Sequence, residues 1–209
     1  DRHEQPSSVG ETMSNRDKRN WQVFFAALLL SGGISLLWLS STGVTDEDLI
    51  VPSRHTAQLA FAIYLVVLVT RPLQQLLRQD WTAALLRSRR FIGVAFAAVM
   101  TTHLGLIAYR FGSQPELEYP LSSLLVGGST YSVFYLMLIT SFDGPRKALG
   151  PRKWKILHRT GLVLAGIIFG LPRSLEDLSD PDYLKFGIPF AIALLIRFTA
   201  WQRSRRRGS

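Results

Sequence analysis

The chain contains no cysteine. That excludes disulfides, iron–sulfur clusters and thiolate ligation of haem, and it leaves the redox compartment open. A G-x-G-x-x-G or Walker motif is also missing. After the last apolar run comes only a short basic tail, so no flavin or nicotinamide domain is expected. No small-residue cleavage site and soluble domain follow the first apolar run, so it does not read as a signal peptide. The apolar runs hold no carboxylate. Intramembrane carboxylates usually mark proton or ion routes, which makes a small transporter the weakest functional reading.

What is present in abundance is apolar sequence in long blocks. Six runs stand out: 21–40, 56–69, 91–109, 121–141, 156–171 and 183–201. A bilayer-spanning helix needs roughly 20 apolar residues. Helices also satisfy their own backbone in lipid, whereas isolated strands do not. The expected fold is all-α: a polytopic membrane protein with a six-helix transmembrane bundle in the lipid bilayer.

The formal net charge of +9 is localised. Basic clusters occupy the N-terminal tail (Arg2, Arg16, Lys18, Arg19), the second connection (Arg71, Arg78, Arg87, Arg89, Arg90), the fourth (Arg146, Lys147, Arg152, Lys153, Lys155) and the C-terminal tail (Arg203, Arg205, Arg206, Arg207). The odd connections are acidic: Asp46, Glu47 and Asp48, then Glu116 and Glu118, then Glu176, Asp177, Asp180 and Asp182. The positive-inside rule then puts both termini in the cytoplasm. Beside a membrane exit, Arg205–Arg207 read as a topology and lipid anchor rather than a nucleic-acid site.

The domain expectation follows. Residues 1–20 form a polar, disordered cytoplasmic tail, 21–201 the membrane domain, and 202–209 a basic cytoplasmic tail. Met13 looks like a natural start, so Asp1–Thr12 are expected to be an added tag, as is Gly208-Ser209. Gly32-Gly33 and Gly127-Gly128 lie inside spans and are expected to serve close helix packing.

Four histidines are present. His3 lies in the tail and is expected to be inert. His55 lies at the outer end of the second run, His103 deep in the third, and His158 at the inner end of the fifth, just after Trp154. An ionisable ring in a membrane points to function, and imidazole is the usual protein ligand of haem iron. A histidine bonded to a neighbouring helix, or resting at the headgroups, would look the same in sequence. Depth separates the pairings. His103 lies about 20 Å above the inner boundary marked by Arg90, and His55 about 24 Å above Arg71 at the same boundary, using the 1.5 Å rise per residue. His158 lies within about one turn of that boundary. His55 and His103 are therefore level with each other, whereas His103 and His158 are not.

Several short patterns occur in a telling order. Thr70-Arg71-Pro72-Leu73 ends the second run, and Arg89-Arg90-Phe91-Ile92-Gly93 opens the third. Leu149-Gly150 and Trp154-x-x-Leu157-His158-Arg159 precede the fifth. In this order the chain resembles the ferric-reductase-like transmembrane domain family, from the second run to the fifth. Within it, the member type most similar is the haem-binding membrane subunit of bacterial methionine-sulfoxide reductase systems. The resemblance implies b-type haem, one or two, held by histidines of spans three and five, with His103 matching the outer ligand and His158 the inner one. It also implies a bacterial inner-membrane location and a partner reductase or redox subunit, with quinol as another electron donor. The family places a second ligand on span five, where this chain has Leu171. His55 is then the candidate to replace it. Arg173 on the outer side and Arg89 or Arg90 on the inner side are candidates to pair with haem propionates. The resulting expectation is an electron-transfer subunit, with no catalytic residue of its own. The competing expectation is a haem-free relative acting as a membrane anchor or assembly subunit.

Overall fold

The computed structural model describes residues 13–113, 120–170 and 181–206. The side chains of Asp46, Ser123, Asp182 and Tyr183 are not described. His3, Leu171, Arg173, the acidic residues 116, 118, 176, 177 and 180, and Arg207 lie outside the described residues.

The described residues form seven helices and no strand: α1 (Asn15–Thr42), α2 (Asp46–Leu77), α3 (Asp80–Ser113), α4 (Leu121–Ile139), α5 (Asp143–Leu149), α6 (Pro151–Gly170) and α7 (Pro181–Arg205). Each apolar run falls in one helix, and α5 is an added short helix. By length and composition, four helices can cross a membrane: α1, α2, α3 and α7. The count is five if α4 and α5, bent by 106°, make one broken span. Helix α6 carries Arg152, Lys153, Lys155 and Arg159 in its first turns, which shortens its apolar stretch. The fold is thus that of an all-helical integral membrane protein.

Helix α1 begins inside the stretch expected to be a disordered tail. Ser14 caps it by accepting from the Asp17 amide, and Asp17 sits where the helix dipole favours a negative charge. Asn20 is fully buried and donates to the Ser141 carbonyl at 3.1 Å. Polar composition suggested disorder, but these groups find partners at the α4–α5 corner. The next turn is fixed by a capping box between Thr45 and Asp48, after which α2 runs back across.

Helices α2 and α3 form the central pair, with α1 against α3, α7 against α2, and α4 against α6. The main core joins Phe61, Tyr64 and Leu68 of α2 with Val99 and Met100 of α3, Phe134 of α4, Ala165 of α6 and Ala193 of α7. A smaller core sets Phe24 of α1 against Val94 and Ala98 of α3. Leu29, Leu30, Ile34, Leu36 and Leu37 of α1 are each about two-thirds exposed or more. In water that surface would be untenable, whereas in lipid it is the contact face.

The glycine pairs are not where helices approach. Gly33, Gly127 and Gly128 have nothing within 4 Å of a Cβ position, and Gly32 meets only Thr102 Oγ1 at 4.0 Å. The expectation of close packing there is corrected. Close approach occurs instead along α6. A Cβ on Gly161 would clash with Met137 Sδ, and one on Gly170 with the Phe190 ring. One on Gly166 would lie 2.6 Å from the Tyr64 hydroxyl oxygen. That hydroxyl donates to the Leu162 carbonyl at 3.1 Å, so the missing side chain lets α2 bond to the α6 backbone.

Replacing Gly166 with leucine is therefore expected to destabilise the detergent-solubilised protein by about 1–3 kcal/mol or more, the usual cost of overpacking. The same change at Gly128 is expected to stay within about 0.5 kcal/mol. Thermal unfolding of both variants, followed by size-exclusion chromatography, checks the contrast.

Candidate functional site

The polar side chains inside the bundle gather at two levels. The outer one is built on three consecutive residues of α3. Successive helix residues point about 100° apart, so Thr101, Thr102 and His103 address three different helices. The Tyr135 hydroxyl of α4 donates to Thr101 Oγ1 at 3.1 Å. Thr102 shares a 2.7 Å hydrogen bond with Ser31 of α1. His103 Nδ1 lies 3.0 Å from Thr56 Oγ1 of α2.

The Thr56 hydrogen decides the chemistry of the His103 ring. Thr56 has one hydroxyl hydrogen, and it is directed at the Pro52 and Ser53 carbonyls, both 2.9 Å away. With that hydrogen on a backbone carbonyl, Thr56 accepts from His103 Nδ1 and Nε2 keeps its lone pair; with it on Nδ1, the tautomer is reversed. The first is the form in which a histidine ligates a metal, with its other nitrogen oriented by a hydrogen bond. His103 therefore fits an axial-ligand role.

The inner level centres on Thr140, at the end of α4. Its hydroxyl hydrogen is directed at the Leu136 carbonyl at 2.7 Å. His158 Nε2 of α6 lies 3.1 Å from the same oxygen. With the Thr140 hydrogen on that carbonyl, the His158 hydrogen is on Nε2, the opposite tautomer. Trp154 Nε1 donates to the Thr140 carbonyl at 3.0 Å, and its ring covers His158 with centroids 4.3 Å apart. In this arrangement His158 Nε2 is already committed. For that nitrogen to ligate a metal, the Thr140 bond must open.

The level separation expected from sequence appears in the contacts. Thr56, next to His55, meets His103, and Thr140 meets His158. The described contacts of His55 are nevertheless with α1. His55 is exposed and lies edge-on to Trp38 of α1, with centroids 6.4 Å apart. It lines a groove of about 380 Å³ between α1 and α2 together with Ser31, Ser35, Pro52, Thr56 and Leu59. Equal depth was legible in the sequence. Azimuth was not, because it depends on how α2 is rotated against α3.

Arg90, expected as a propionate partner, is otherwise engaged. Its two terminal nitrogens bond Asp17 and Asp143, each at 2.9 Å. Ser14 Oγ donates to Asp143 at 2.9 Å, and the Asp143 amide donates to Asp17. The guanidinium thus ties the start of α1, the start of α3 and the α4–α5 corner together. The sequence signal for this was the pair of lone carboxylates, Asp17 and Asp143, amid basic clusters. Among the described residues no group of three or more histidine or acidic side chains is placed to hold a metal ion.

The clasp makes a directional prediction. Arg90→Gln leaves two partly buried carboxylates side by side with no cation, and breaking such pairs costs about 3–5 kcal/mol when fully buried. The loss expected here, with the groups 13–24% exposed, is about 2–3 kcal/mol. Asp17→Asn should cost less, since Arg90 keeps Asp143. Denaturant unfolding in detergent gives the order, and an Asp17 variant as damaged as the Arg90 variant would contradict it.

Two curated proteins are similar to this chain. The protein-methionine-sulfoxide reductase heme-binding subunit MsrQ of Herminiimonas arsenicoxydans is 28% identical over 198 residues, covering 90% of this chain and 88% of that protein. The protein of the same name from Polaromonas naphthalenivorans (strain CJ2) is 24% identical over 186 residues, covering 82% of this chain and 80% of that protein. No family model and no solved structure matches the chain. The member type suggested by the sequence patterns is thus also what these relatives are named for.

Proposed function

We propose that this chain is the haem-binding membrane subunit of a bacterial methionine-sulfoxide reductase system and carries electrons between a donor and a partner reductase subunit. Similarity to two proteins named for that role, along four-fifths or more of their length, supports the reading. The observation that carries it into the structure is His103, deep in α3 with Nδ1 held by Thr56. A b-type haem, when bound, supplies one-electron iron chemistry. The chain's own part is to present Nε2 of His103 to the iron and hold that ring in one orientation through Thr56. Phe61, Tyr64, Phe96 and Phe169 form the neighbouring aromatic core that excludes water. A low dielectric and the hydrogen bond on the ligand are the two levers by which such a site sets its potential. His158 at the inner level is the second candidate ligand, and Arg173 the outer candidate for a propionate. Quinol remains the alternative donor to a soluble reductase.

We further propose six spans in the bacterial inner membrane, with both termini cytoplasmic. The basic connections support this, and so does the packing. The start of α1 meets the α4–α5 corner through Asp143, and the end of α7 meets the end of α2 through Arg203 and the Leu76 carbonyl. The described chain thus begins and ends at one end of the bundle. Because the protein has no cysteine, single introduced cysteines report cleanly. A cysteine at Glu47 should label with an impermeant maleimide in intact cells, and one at Lys147 should not. The reverse pattern would overturn the topology.

A second reading is the haem-free anchor, favoured by Leu171 standing where the resemblance expects a ligand. The reduced-minus-oxidised absorption spectrum of protein expressed with ample haem decides. A Soret band with a sharp α band is expected, and a featureless spectrum would favour the anchor. His103→Ala should remove most of the bound haem from a folded protein. Thr56→Val should weaken haem retention by about 10–100-fold, the usual effect of losing a group that orients a metal ligand. Unchanged haem content in folded His103→Ala would remove that residue from the proposal.

A further inference from the structure

We propose that the groove between the ends of α2 and α7 binds the phosphate headgroup of an anionic phospholipid, with Arg78 and Arg203 as its ligands. The argument starts from charge. Three arginines gather where the two helices meet: Arg78 of α2 and Arg203 of α7 line the groove, and Arg197 of α7 reaches back to α2. Among the described residues no carboxylate forms an ion pair with any of them; the ion pairs described at this end belong to Arg90. Arg197 reaches the Leu68 carbonyl at 3.5 Å, and Arg203 reaches the Leu76 carbonyl at 3.2 Å. Each guanidinium is thereby held against α2 by one nitrogen, with the rest of its donors left for another acceptor. Like charges collected on neighbouring helices repel unless an anion joins them.

Space accompanies the charge. An open groove of about 250 Å³ is lined by Gln75, Arg78, Ala200, Arg203 and Ser204. Buried Ala200 keeps the two helices close while its small side chain leaves the space open. The Gln75 side-chain amide supplies a neutral donor beside the two guanidinium forks, a set that suits phosphate oxygens.

The backbone at Arg78 is the second independent sign. Arg78 is the only non-glycine residue with positive φ among the described residues, at φ 55°, and it ends α2 in the left-handed conformation. Glycine or asparagine is the usual occupant of that position, because any Cβ is unfavourable there. An arginine in its place keeps a strained backbone and gains a guanidinium at the groove. Strain of this kind is a pointer to function when other observations agree.

The depth of the groove selects a lipid over a free anion. Trp81 and Trp201 flank this end of the bundle and are about half exposed, as interfacial tryptophans are. Toward the membrane centre, α7 exposes Leu194, Leu195 and Phe198, a surface for acyl chains. A phosphate at the level of the tryptophans with apolar chains below it has the shape of an anionic lipid. Basic pockets between transmembrane helices bind such headgroups. The inference stands apart from the haem proposal, and only the name of the leaflet depends on the proposed topology.

Native mass spectrometry of the detergent-purified full chain tests it. Added phosphatidylglycerol is expected to remain bound in preference to phosphatidylcholine. Arg203→Gln should lower retention by about fivefold, the effect of roughly one basic contact at a membrane surface. Arg152→Gln, on exposed α6 surface, should leave it unchanged. Arg78→Gly separates the lipid role from a helix-ending one. Relieving the positive φ should leave thermal stability in lipid-free detergent equal or higher, while phosphatidylglycerol retention falls. Equal retention of the two lipids, or unchanged retention in both Arg203→Gln and Arg78→Gly, would overturn the proposal. So would inorganic phosphate at millimolar concentration displacing the lipid, which would mark a site for a soluble anion.

Discussion

The bundle depends on one constraint: polar side chains in an apolar surround must find partners on other helices. Lipid tails are as apolar as leucine, so hydrophobicity alone does not tell one helix rotation from another. Thr101, Thr102 and His103 meet that constraint with three partners on three helices. A rotation of α3 by one residue would break all three contacts at once. Each bond of this kind is modest, averaging about 0.6 kcal/mol in a membrane protein where such bonds were measured. Their effect lies in geometry more than in energy. They set the azimuth of α3, and with it the direction in which the deepest histidine points.

The opposite end of the bundle is organised by charge. Arg90 holds Asp17 and Asp143, and Asn20 and Trp154 bond the backbone of the α4–α5 corner. The corner itself closes with tight turns at Ser141 and Phe142, which bring the chain along the surface as α5 before α6 descends. The mostly basic segments at this level therefore include one partly neutralised node. Further along the same end, the arginines between α2 and α7 have no such carboxylates among the described residues. This asymmetry gives Arg90 an architectural part and is the basis for the lipid site proposed at the α2–α7 arginines.

Much of the architecture was legible in the sequence because it rests on long apolar blocks. All six runs became helices, and the depth order of the histidines followed from residue counts along single helices. What depended on rotation was not legible. His55 and His103 share a level, but α2 turns Thr56 toward α3 and carries His55 into the groove beside Trp38. Close packing was expected at the glycine pairs, yet Gly127 and Gly128 face open space. The contacts that need glycine lie at Gly161, Gly166 and Gly170, spaced along α6 where Met137, Tyr64 and Phe190 press in. The polar start of α1 read as disorder because its partners, Asp143 and Ser141, are distant in sequence.

The two half-buried histidines illustrate how little separates a ligand from a strut. Each is bonded by a threonine, and with the threonine's own hydrogen on its helix backbone each threonine acts as an acceptor. Thr56 then takes the hydrogen of Nδ1 and leaves Nε2 of His103 open. Thr140 takes the hydrogen of Nε2 and closes that nitrogen in His158. The residue types are the same, and the chemistry differs because the ring is approached from opposite edges. If His158 serves as an iron ligand through Nε2, it must first exchange the Thr140 bond for the metal and move within the cover of Trp154. His103 needs no such exchange. On this ground the outer level is the better founded half of the proposed haem site, and the inner level is where a partner or a prosthetic group would have to do conformational work.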